Sequence, residues 1–208
     1  MYKAFLFDFD GVLVDTTDIQ VRSIAEAIKN IIGLSIKHPS DWEIIYSTNT
    51  TKAKLVKLSH KGYLPLKQIE EVYTEKKRLA NEMMLKLDPQ HYFDKRQMFD
   101  FLKAEDKKIG VVTNANGDST RMLLKHLDFM KYLDVLITNN DVVNSKPHPE
   151  PYIRAMLEVG CKLEEYIIFE DSIVGLQAAR ATGAAVCEVR HVNDVNFGLV
   201  ADILRRAG

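Results

Sequence analysis

The 208-residue sequence has few cysteines and no long apolar run, so it does not look like a disulfide-bonded, cysteine-ligated metal-binding or membrane-spanning protein. It contains two cysteines, Cys161 and Cys187, which stand singly and form no CxxC or Cys/His spacing. It shows no signal-peptide pattern and no apolar run long enough to cross a bilayer. These absences predict a protein of a reducing, cytoplasmic compartment with no membrane partner.

The sequence also lacks an excess of either charge. Lys and Arg total 28 against 29 for Asp and Glu, and no basic run stands out. A nucleic-acid or anionic-membrane surface is therefore not expected. The apolar fraction of 46% is that of an ordinary globular chain, and the length suits one domain with an insert.

The stretch AFLFDFDGVLVDT, residues 4–16, is unusual because acidic residues follow an apolar run. Tyr2 to Phe9 is predicted to form a buried strand, which ends in Asp8 and Asp10 and turns at Gly11. Two carboxylates with one residue between them project to the same side of a strand and repel each other. They are either solvated turn residues, or a positive group lies between them.

Residues 15–89 read as almost entirely helical. Apolar residues recur at helical spacing from Val21 to Ile32, and Pro65 suits the first turn of a long helix. Thr17–Gln20 and Ser40–Glu43 have the spacing of capping boxes. Such a run does not fit strand–helix alternation, so a helical domain inserted after the first strand is predicted.

Beyond residue 90 the sequence alternates between strands and helices. The predicted strands are KIGVVTNA, DVLITNN, YIIFEDS and AAVCEVR, and helices lie between them. Alternation of this kind implies a parallel sheet buried on both faces. The predicted fold is therefore α/β: a Rossmann-like parallel sheet core with helices on both faces, formed by residues 1–14 and 90–208, plus the inserted α-helical domain, with the first strand in the middle of the sheet.

Ligand sites of open α/β sheets lie beyond the carboxyl ends of the strands. The residues predicted at that edge are Asp8, Asp10, Thr113, Asn114, Lys146, Glu170 and Asp171. Carboxylates suit Mg²⁺, and the lysine and threonine suit the oxygens of a phosphoryl group. Taken singly, Thr113 could be a loop start, Lys146 a solvated loop lysine and Asp171 part of a helix cap. The order and spacing of the whole set favour a functional site.

The stretches DFDGVLVDT, VVTNAN, KPHPEPY and FEDS resemble, in this order, the four signature motifs of the haloacid dehalogenase-like hydrolases. The resemblance spans essentially the whole chain and is greatest to the branch with a helical cap, that of β-phosphoglucomutase and phosphoglycolate phosphatase. It implies that Asp8 is the nucleophile, and that Asp10 is the general acid and base. It also implies that Thr113, Asn114 and Lys146 bind substrate phosphate, and that Asp8, Asp10, Glu170 and Asp171 hold Mg²⁺, with Asp10 contributing its backbone carbonyl. The insert, residues 15–89, would be the cap that closes over the site and selects the substrate.

A Mg²⁺-dependent phosphatase of a small phosphorylated metabolite, working as a monomer or weak dimer through an aspartyl-phosphate, is the function that follows. A sugar phosphomutase is the alternative; Gln20, where those mutases commonly have histidine, and the absence of arginine in STNTTKAKL count against it. Dehalogenase or phosphonate chemistry is disfavoured because those relatives as a rule lack the aspartate that Asp10 supplies. A catalytically silent binding module would be expected to have lost a motif residue, and none is missing. Lys52 and Arg22 are candidate anion contacts in the insert, but exposed helix charges are the better explanation of both.

Overall fold

A computed structural model describes residues 1–46 and 50–207 of the chain. The chain forms two compact units. One consists of Met1–Asp15 with Asp88–Gly208 and is called the sheet unit here; the other, Thr16–Leu87, is called the helical unit. The identity of the helical unit as a cap domain stays a prediction. Within the described residues no helix combines the length and the hydropathy that a membrane crossing requires.

The described residues of the sheet unit form one five-stranded sheet. Its strands are β1 (Ala4–Phe7), β2 (Lys108–Val112), β3 (Val135–Ile137), β4 (Tyr166–Glu170) and β5 (Ala185–Glu188). All neighbours pair in parallel, in the order β3-β2-β1-β4-β5. The predicted α/β class and the central position of the first strand are confirmed.

The described residues of the helical unit, 16–46 and 50–87, form four α-helices: α1 (Thr17–Ile32), α2 (Pro39–Tyr46), α3 (Thr51–His60) and α4 (Ile69–Met84). Its core forms where the apolar face of α1 packs on that of α4; the buried contacts include Val21, Ile24 and Ile28 with Val72 and Leu79. The stripe predicted from the spacing of apolar residues is thus the buried one.

Both capping boxes predicted in this unit are wrong. The N-cap of α1 is Thr16, one residue before Thr17, and no side chain caps it. Helix α2 begins at Pro39, so Ser40 already lies inside the helix. A short 3-10 turn, Leu66–Gln68, separates Pro65 from α4, so Pro65 precedes the long helix and is not part of its first turn.

Up to residue 207, where the description of the sheet unit stops, this unit has five α-helices: α5 (Phe93–Ala104), α6 (Gly117–His126), α7 (Glu150–Val159), α8 (Ile173–Arg180) and α9 (Phe197–Ala207). Helix α9 is not among the helices predicted from the sequence. It packs against α5, and the rings of Phe101 and Phe197 meet edge to face at 4.8 Å.

Alternation along β1 explains why both faces of the sheet are covered. Ala4 and Leu6 face a cluster that includes residues of α7 and α8. Phe5 and Phe7 point to the opposite face, where Phe7 stacks on Phe169 at 4.6 Å and meets Phe99 of α5 edge to face at 5.9 Å. Successive side chains of a strand alternate between faces, so each face of this apolar strand needs its own helical layer.

Candidate active site

The carboxyl ends of β1, β2 and β4 meet at one edge of the sheet. Phe7 of β1 is in register with Val111 of β2 and with Phe169 of β4. The Asp8 amide continues the pairing by donating to the Phe169 carbonyl at 2.9 Å. Asp8 and Glu170 directly follow Phe7 and Phe169, and Thr113 lies two residues after Val111, so the strand register brings all three to the same edge.

Lys146 lies at the centre of this group and is almost fully buried. Its Nζ donates to Asp8 Oδ1 at 2.6 Å, to Glu170 Oε1 at 2.5 Å and to the Val112 carbonyl at 2.8 Å. The two carboxylates raise the pKa of Lys146 against the opposing effect of burial, so the ammonium is retained. The structure thus places a positive group beside Asp8, which answers the question raised by clustered acids on an apolar strand.

Glu170 is completely enclosed, with no exposed surface. Its Oε1 accepts hydrogen bonds from Lys146 and, at 2.5 Å, from the hydroxyl of Tyr152 on α7. Its Oε2 accepts from the Asp171 amide at 3.2 Å and from the Ser172 hydroxyl at 3.4 Å. Both carboxylate oxygens therefore already have protein donors, as a buried charge requires.

A glycine at the start of α8 makes room for Glu170. A Cβ at Gly175 would lie 2.0 to 2.2 Å from the atoms of the Glu170 carboxyl group. Any larger residue would displace the carboxylate or the helix, since real Cβ contacts are never this short. The close approach of helix and acid thus requires glycine at this position.

Gly11 likewise makes room for the carboxylate of Asp171. It has φ of +86°, and a Cβ there would lie 2.0 Å from Asp171 Oδ2. The turn that contains it is closed by a hydrogen bond from the Gly11 amide to the Val14 carbonyl at 2.7 Å, and Asp10 forms an isolated bridge with Val14. The turn after β1 can approach the Asp171 carboxylate because the residue at this point has no side chain.

The carboxylates at this edge are compatible with a divalent cation. Asp8, Glu170 and Asp171 each offer an oxygen, and these oxygens lie within 4.8 Å of one another. Burial raises the pKa of Asp8, an effect that Lys146 opposes and Glu170 reinforces. Burial and the neighbouring Glu170 likewise raise the pKa of Asp171. An oxygen-lined site with surplus negative charge is the kind of site that Mg²⁺ occupies in proteins.

The residues predicted to bind phosphate lie at the same edge. Thr113 is buried at the end of β2, and its hydroxyl accepts from the Ala115 amide at 3.0 Å. The Asn114 amide instead pairs with the main chain of Lys146: Nδ2 donates to its carbonyl at 3.0 Å, and Oδ1 accepts from its N–H at 3.0 Å. Asn114 therefore holds the Lys146 backbone; the predicted phosphate contact of Asn114 stays a prediction.

Tyr152 and Gly175 were not singled out from the sequence, although both shape the site. The KPHPEPY stretch contains Tyr152, but nothing in the sequence shows that its hydroxyl reaches an acid 18 positions later. A tyrosine on the apolar face of a helix is a possible signal, since a buried hydroxyl needs a polar partner.

Within the helical unit, Gln20 also has a partner that the sequence did not indicate. Lys76 Nζ, on α4, donates to the Gln20 side-chain carbonyl, and the Gln20 amide nitrogen lies 3.4 Å from the Thr16 hydroxyl. Lys52 is ion-paired with Glu70 at 2.7 Å, and both side chains are largely exposed. The segment STNTTKAKL begins with residues 47–49, which lie outside the described residues.

The sequence as a whole matches the haloacid dehalogenase-like hydrolases over residues 5–189. The chain therefore belongs to this family of hydrolases. A putative pyrophosphatase PpaX from Clostridium perfringens is 28% identical, over 92% of this chain and 85% of the relative. A phosphorylated carbohydrates phosphatase from Thermotoga maritima is also 28% identical, over 87% of this chain and 82% of the relative.

Solved structures support the same fold. The crystal structure of a putative β-phosphoglucomutase from Thermotoga maritima aligns with a TM-score of 0.75, covering 97% of this chain and 99% of that one, at 22% identity. The fold resemblance extends over both units of the chain, and the predicted family membership is confirmed.

Proposed function

We propose that the protein is a Mg²⁺-dependent phosphatase that hydrolyses small phosphorylated metabolites through an aspartyl-phosphate on Asp8. The observation that carries the proposal is the position of Asp8. Its carboxylate lies at the end of the central strand, 2.6 Å from the buried ammonium of Lys146 and within reach of two further carboxylates. The curated relatives named above, a phosphatase and a putative pyrophosphatase, support the same class of reaction.

Each residue has a distinct part in this mechanism. Asp8 attacks phosphorus through a carboxylate oxygen, the phosphorus–oxygen bond to the leaving group breaks, and the phosphoryl group is held as an acyl phosphate. Asp10 gives its proton to the departing alkoxide and then takes one from the water that hydrolyses the acyl phosphate. Lys146 and Thr113 bind the transferring oxygens, where a fixed ammonium and hydroxyl stabilise the charge that develops.

Among the residues compatible with Mg²⁺, Asp8 and Asp171 are better placed to ligate than Glu170. Both oxygens of Glu170 already accept two hydrogen bonds each, so a direct metal bond would have to displace a protein donor. We assign Glu170 mainly to holding Lys146, and the backbone carbonyl of Asp10 to the metal with the two aspartates. When bound, Mg²⁺ neutralises the carboxylates and the phosphoryl oxygens.

A panel of phosphorylated metabolites, assayed for free phosphate with Mg²⁺ and with excess chelator, tests the proposal. We expect release from small phosphomonoesters only when Mg²⁺ is present. Asp8→Asn should reduce turnover by several orders of magnitude, because the amide is neither charged nor nucleophilic.

Asp128→Asn is the matched control. It makes the same aspartate-to-asparagine change at an exposed turn residue of the sheet unit. Asp128 has a φ of +62°, which asparagine also adopts readily. We expect it to leave turnover unchanged. Full activity of Asp8→Asn, or full activity in excess chelator, would contradict the proposal.

A further inference from the structure

Lys95, at the start of α5, is a buried lysine that forms no ion pair within the described part of the chain. Only 6% of its surface is exposed. Its Nζ donates to three backbone carbonyls: that of Val12 at 3.3 Å, that of Val192 at 2.5 Å, and that of Val195. Buried lysines are rare and usually paired with a carboxylate, so an ammonium held by carbonyls alone needs a reason.

The three carbonyls belong to two distant parts of the sequence. Val12 lies in the turn that follows β1, whereas the other two belong to the segment around the 3-10 turn Val192–Asp194. The Nζ atom of Lys95 therefore connects three parts of the chain: the start of α5, residues 192–195 and the turn after β1.

The turn after β1 determines where Asp10 lies. The amides of Leu13 and Val14 both donate to the Phe9 carbonyl, and Asp10 forms its bridge with Val14. Val12 lies between Asp10 and Val14, at the part of the turn that Lys95 holds. A shift at Val12 would move the backbone on which the Asp10 carboxyl group is carried.

We propose that Lys95 is a positioning residue, whose ammonium fixes the turn after β1 and thereby sets the position of Asp10 as general acid. This inference rests on the proposed phosphatase mechanism, in which Asp10 protonates the leaving group. Within the described residues, the hydrogen bonds of the Lys95 ammonium go to these three carbonyls, so Lys95 acts on Asp10 through the backbone of the turn.

Lys95 lines a cleft of about 220 Å³ together with Asp15, His91, Tyr92 and Asp94. Burial lowers the pKa of Lys95 to about 8, and Asp194 and Asp94 oppose this effect. A neutral amine forms hydrogen bonds about half as strong as those of an ammonium. The hold on Val12 should therefore weaken as the pH rises through about 8.

The choice of leaving group separates positioning from general structural support. An alkoxide needs a proton from Asp10 to depart, whereas p-nitrophenolate departs without one. Comparing kcat/KM for p-nitrophenyl phosphate with kcat/KM for the best alkyl phosphate of the metabolite panel therefore isolates the acid step. The ratio of alkyl to aryl kcat/KM is the quantity to follow.

We expect Lys95→Met to lower this ratio by at least about ten-fold. The loss cannot exceed the whole contribution of general acid catalysis, which is about 10²–10⁴-fold. In Lys95→Arg, which keeps its charge, the pH at which the ratio declines should move upward. Lys107→Met is the matched control: Lys107 is also a buried lysine of the sheet unit, with Nζ 3.8 Å from the sulfur of Met1. It should leave the ratio unchanged.

The wild-type enzyme provides a test that does not depend on the folding of any variant. Its alkyl-to-aryl ratio should fall as the pH rises through about 8. A ratio that stays constant through that range, or an equal loss on both substrates in Lys95→Met, overturns the inference. Failure of the proposed function looks different: no Mg²⁺-dependent phosphate release from the wild type, and no effect of Asp8→Asn.

Discussion

Tyr152 is the residue through which the stability of the buried ion cluster can be measured most directly. Its hydroxyl donates to Glu170 Oε1 at 2.5 Å, and Nζ of Lys146 lies 4.7 Å from the centre of its ring. Burial and then the charge of Glu170 raise the pKa of Tyr152 well above its ordinary value, so the hydroxyl remains a donor. Tyr152→Phe removes this donor and leaves the ring in place.

The expected loss follows from the charge of the acceptor. A hydrogen bond to a charged group contributes about 1.5–3 kcal/mol, against about 0.5–1.5 for a neutral pair. We expect Tyr152→Phe to lower the free energy of unfolding of the sheet unit by about 2 kcal/mol. In a Glu170→Gln background the same change should cost about 1 kcal/mol, which gives a coupling energy of about 1 kcal/mol.

Hydrogen exchange of the β1 and β4 amides is the appropriate measurement. The single tryptophan, Trp42, lies in the helical unit, so its fluorescence does not report on the sheet. A loss of 2 kcal/mol should make the slowest strand amides exchange about 30 times faster.

Tyr63→Phe is the control. It removes a hydrogen bond of the same kind, that of 2.5 Å from the Tyr63 hydroxyl to the Asp41 carboxylate, but in the helical unit. It should leave the strand amides unchanged. Unchanged strand exchange in Tyr152→Phe, or an equal loss in the Glu170→Gln background, would contradict a charge-assisted hydrogen bond between Tyr152 and Glu170.

Three other substitutions test the close approaches and the buried amine. Gly175→Ala places a methyl carbon 2.0 Å from the nearest oxygen of Glu170 and should cost about 1–3 kcal/mol in urea unfolding, together with loss of phosphate release. Gly11→Ala, which crowds Asp171 at a φ of +86°, should raise the Mg²⁺ concentration needed for half-maximal phosphate release; an unchanged Mg²⁺ titration would contradict this. For Lys95 the folded pKa of about 8 lies below the ordinary 10.5, so the unfolded chain binds the proton more tightly between these values. The stability of the wild type relative to Lys95→Met should therefore rise with pH across this window, by up to about 3 kcal/mol, and a pH-independent difference in unfolding free energy would contradict it.

The features of the fold that depend on local pattern could be predicted from the sequence. The apolar run of β1, the alternation after residue 90 and the acids at strand ends together gave the parallel sheet and the edge at which the candidate residues meet. Strand register then determines which residues are neighbours at that edge, since residues that follow paired positions must lie side by side.

What the sequence did not reveal depends on partners far apart in the chain. Gln20 was assigned to a capping box with Thr17, but its carbonyl accepts from Lys76, 56 positions away. The sequence also did not indicate that both ends of the Asn114 amide bind the Lys146 main chain; the predicted phosphate contact of Asn114 stays a prediction. In each case a polar residue type indicates that a polar partner exists, and the tertiary structure determines which partner that is.

Helix α9 was missed for a different reason. Val200 is its buried residue, and Phe197 and Leu204 lie at helical spacing on either side of it. This amphipathic stripe is short and follows the last strand, where the alternation of strands and helices no longer required an element.

The last prediction concerns the acceptor of the phosphoryl group, water or a second sugar hydroxyl. A mutase must bind the sugar bisphosphate firmly at its second phosphate, whereas hydrolysis needs no second anion site. Lys52, within the stretch STNTTKAKL that lacks the arginine of those mutases, is the nearest basic residue, and it already pairs with Glu70 at 2.7 Å on an exposed surface. Both side chains of this pair are largely exposed, so the pair is weak and does not hold Lys52 firmly, but a lysine lacks the two-pronged geometry with which an arginine binds a phosphate.

We therefore expect net phosphate release from small phosphomonoesters and no efficient conversion of β-glucose 1-phosphate to glucose 6-phosphate. The assay incubates the wild type with β-glucose 1-phosphate and a trace of the bisphosphate, and follows free phosphate and glucose 6-phosphate in the same sample. Gln20→His, which supplies the side chain common in those mutases, is a further variant. It should not produce a mutase, because the second phosphate would still lack its arginine. In both mechanisms the phosphoryl group passes through Asp8, and only its acceptor differs. Rapid formation of glucose 6-phosphate with little free phosphate in the wild type would therefore contradict the phosphatase and establish the mutase.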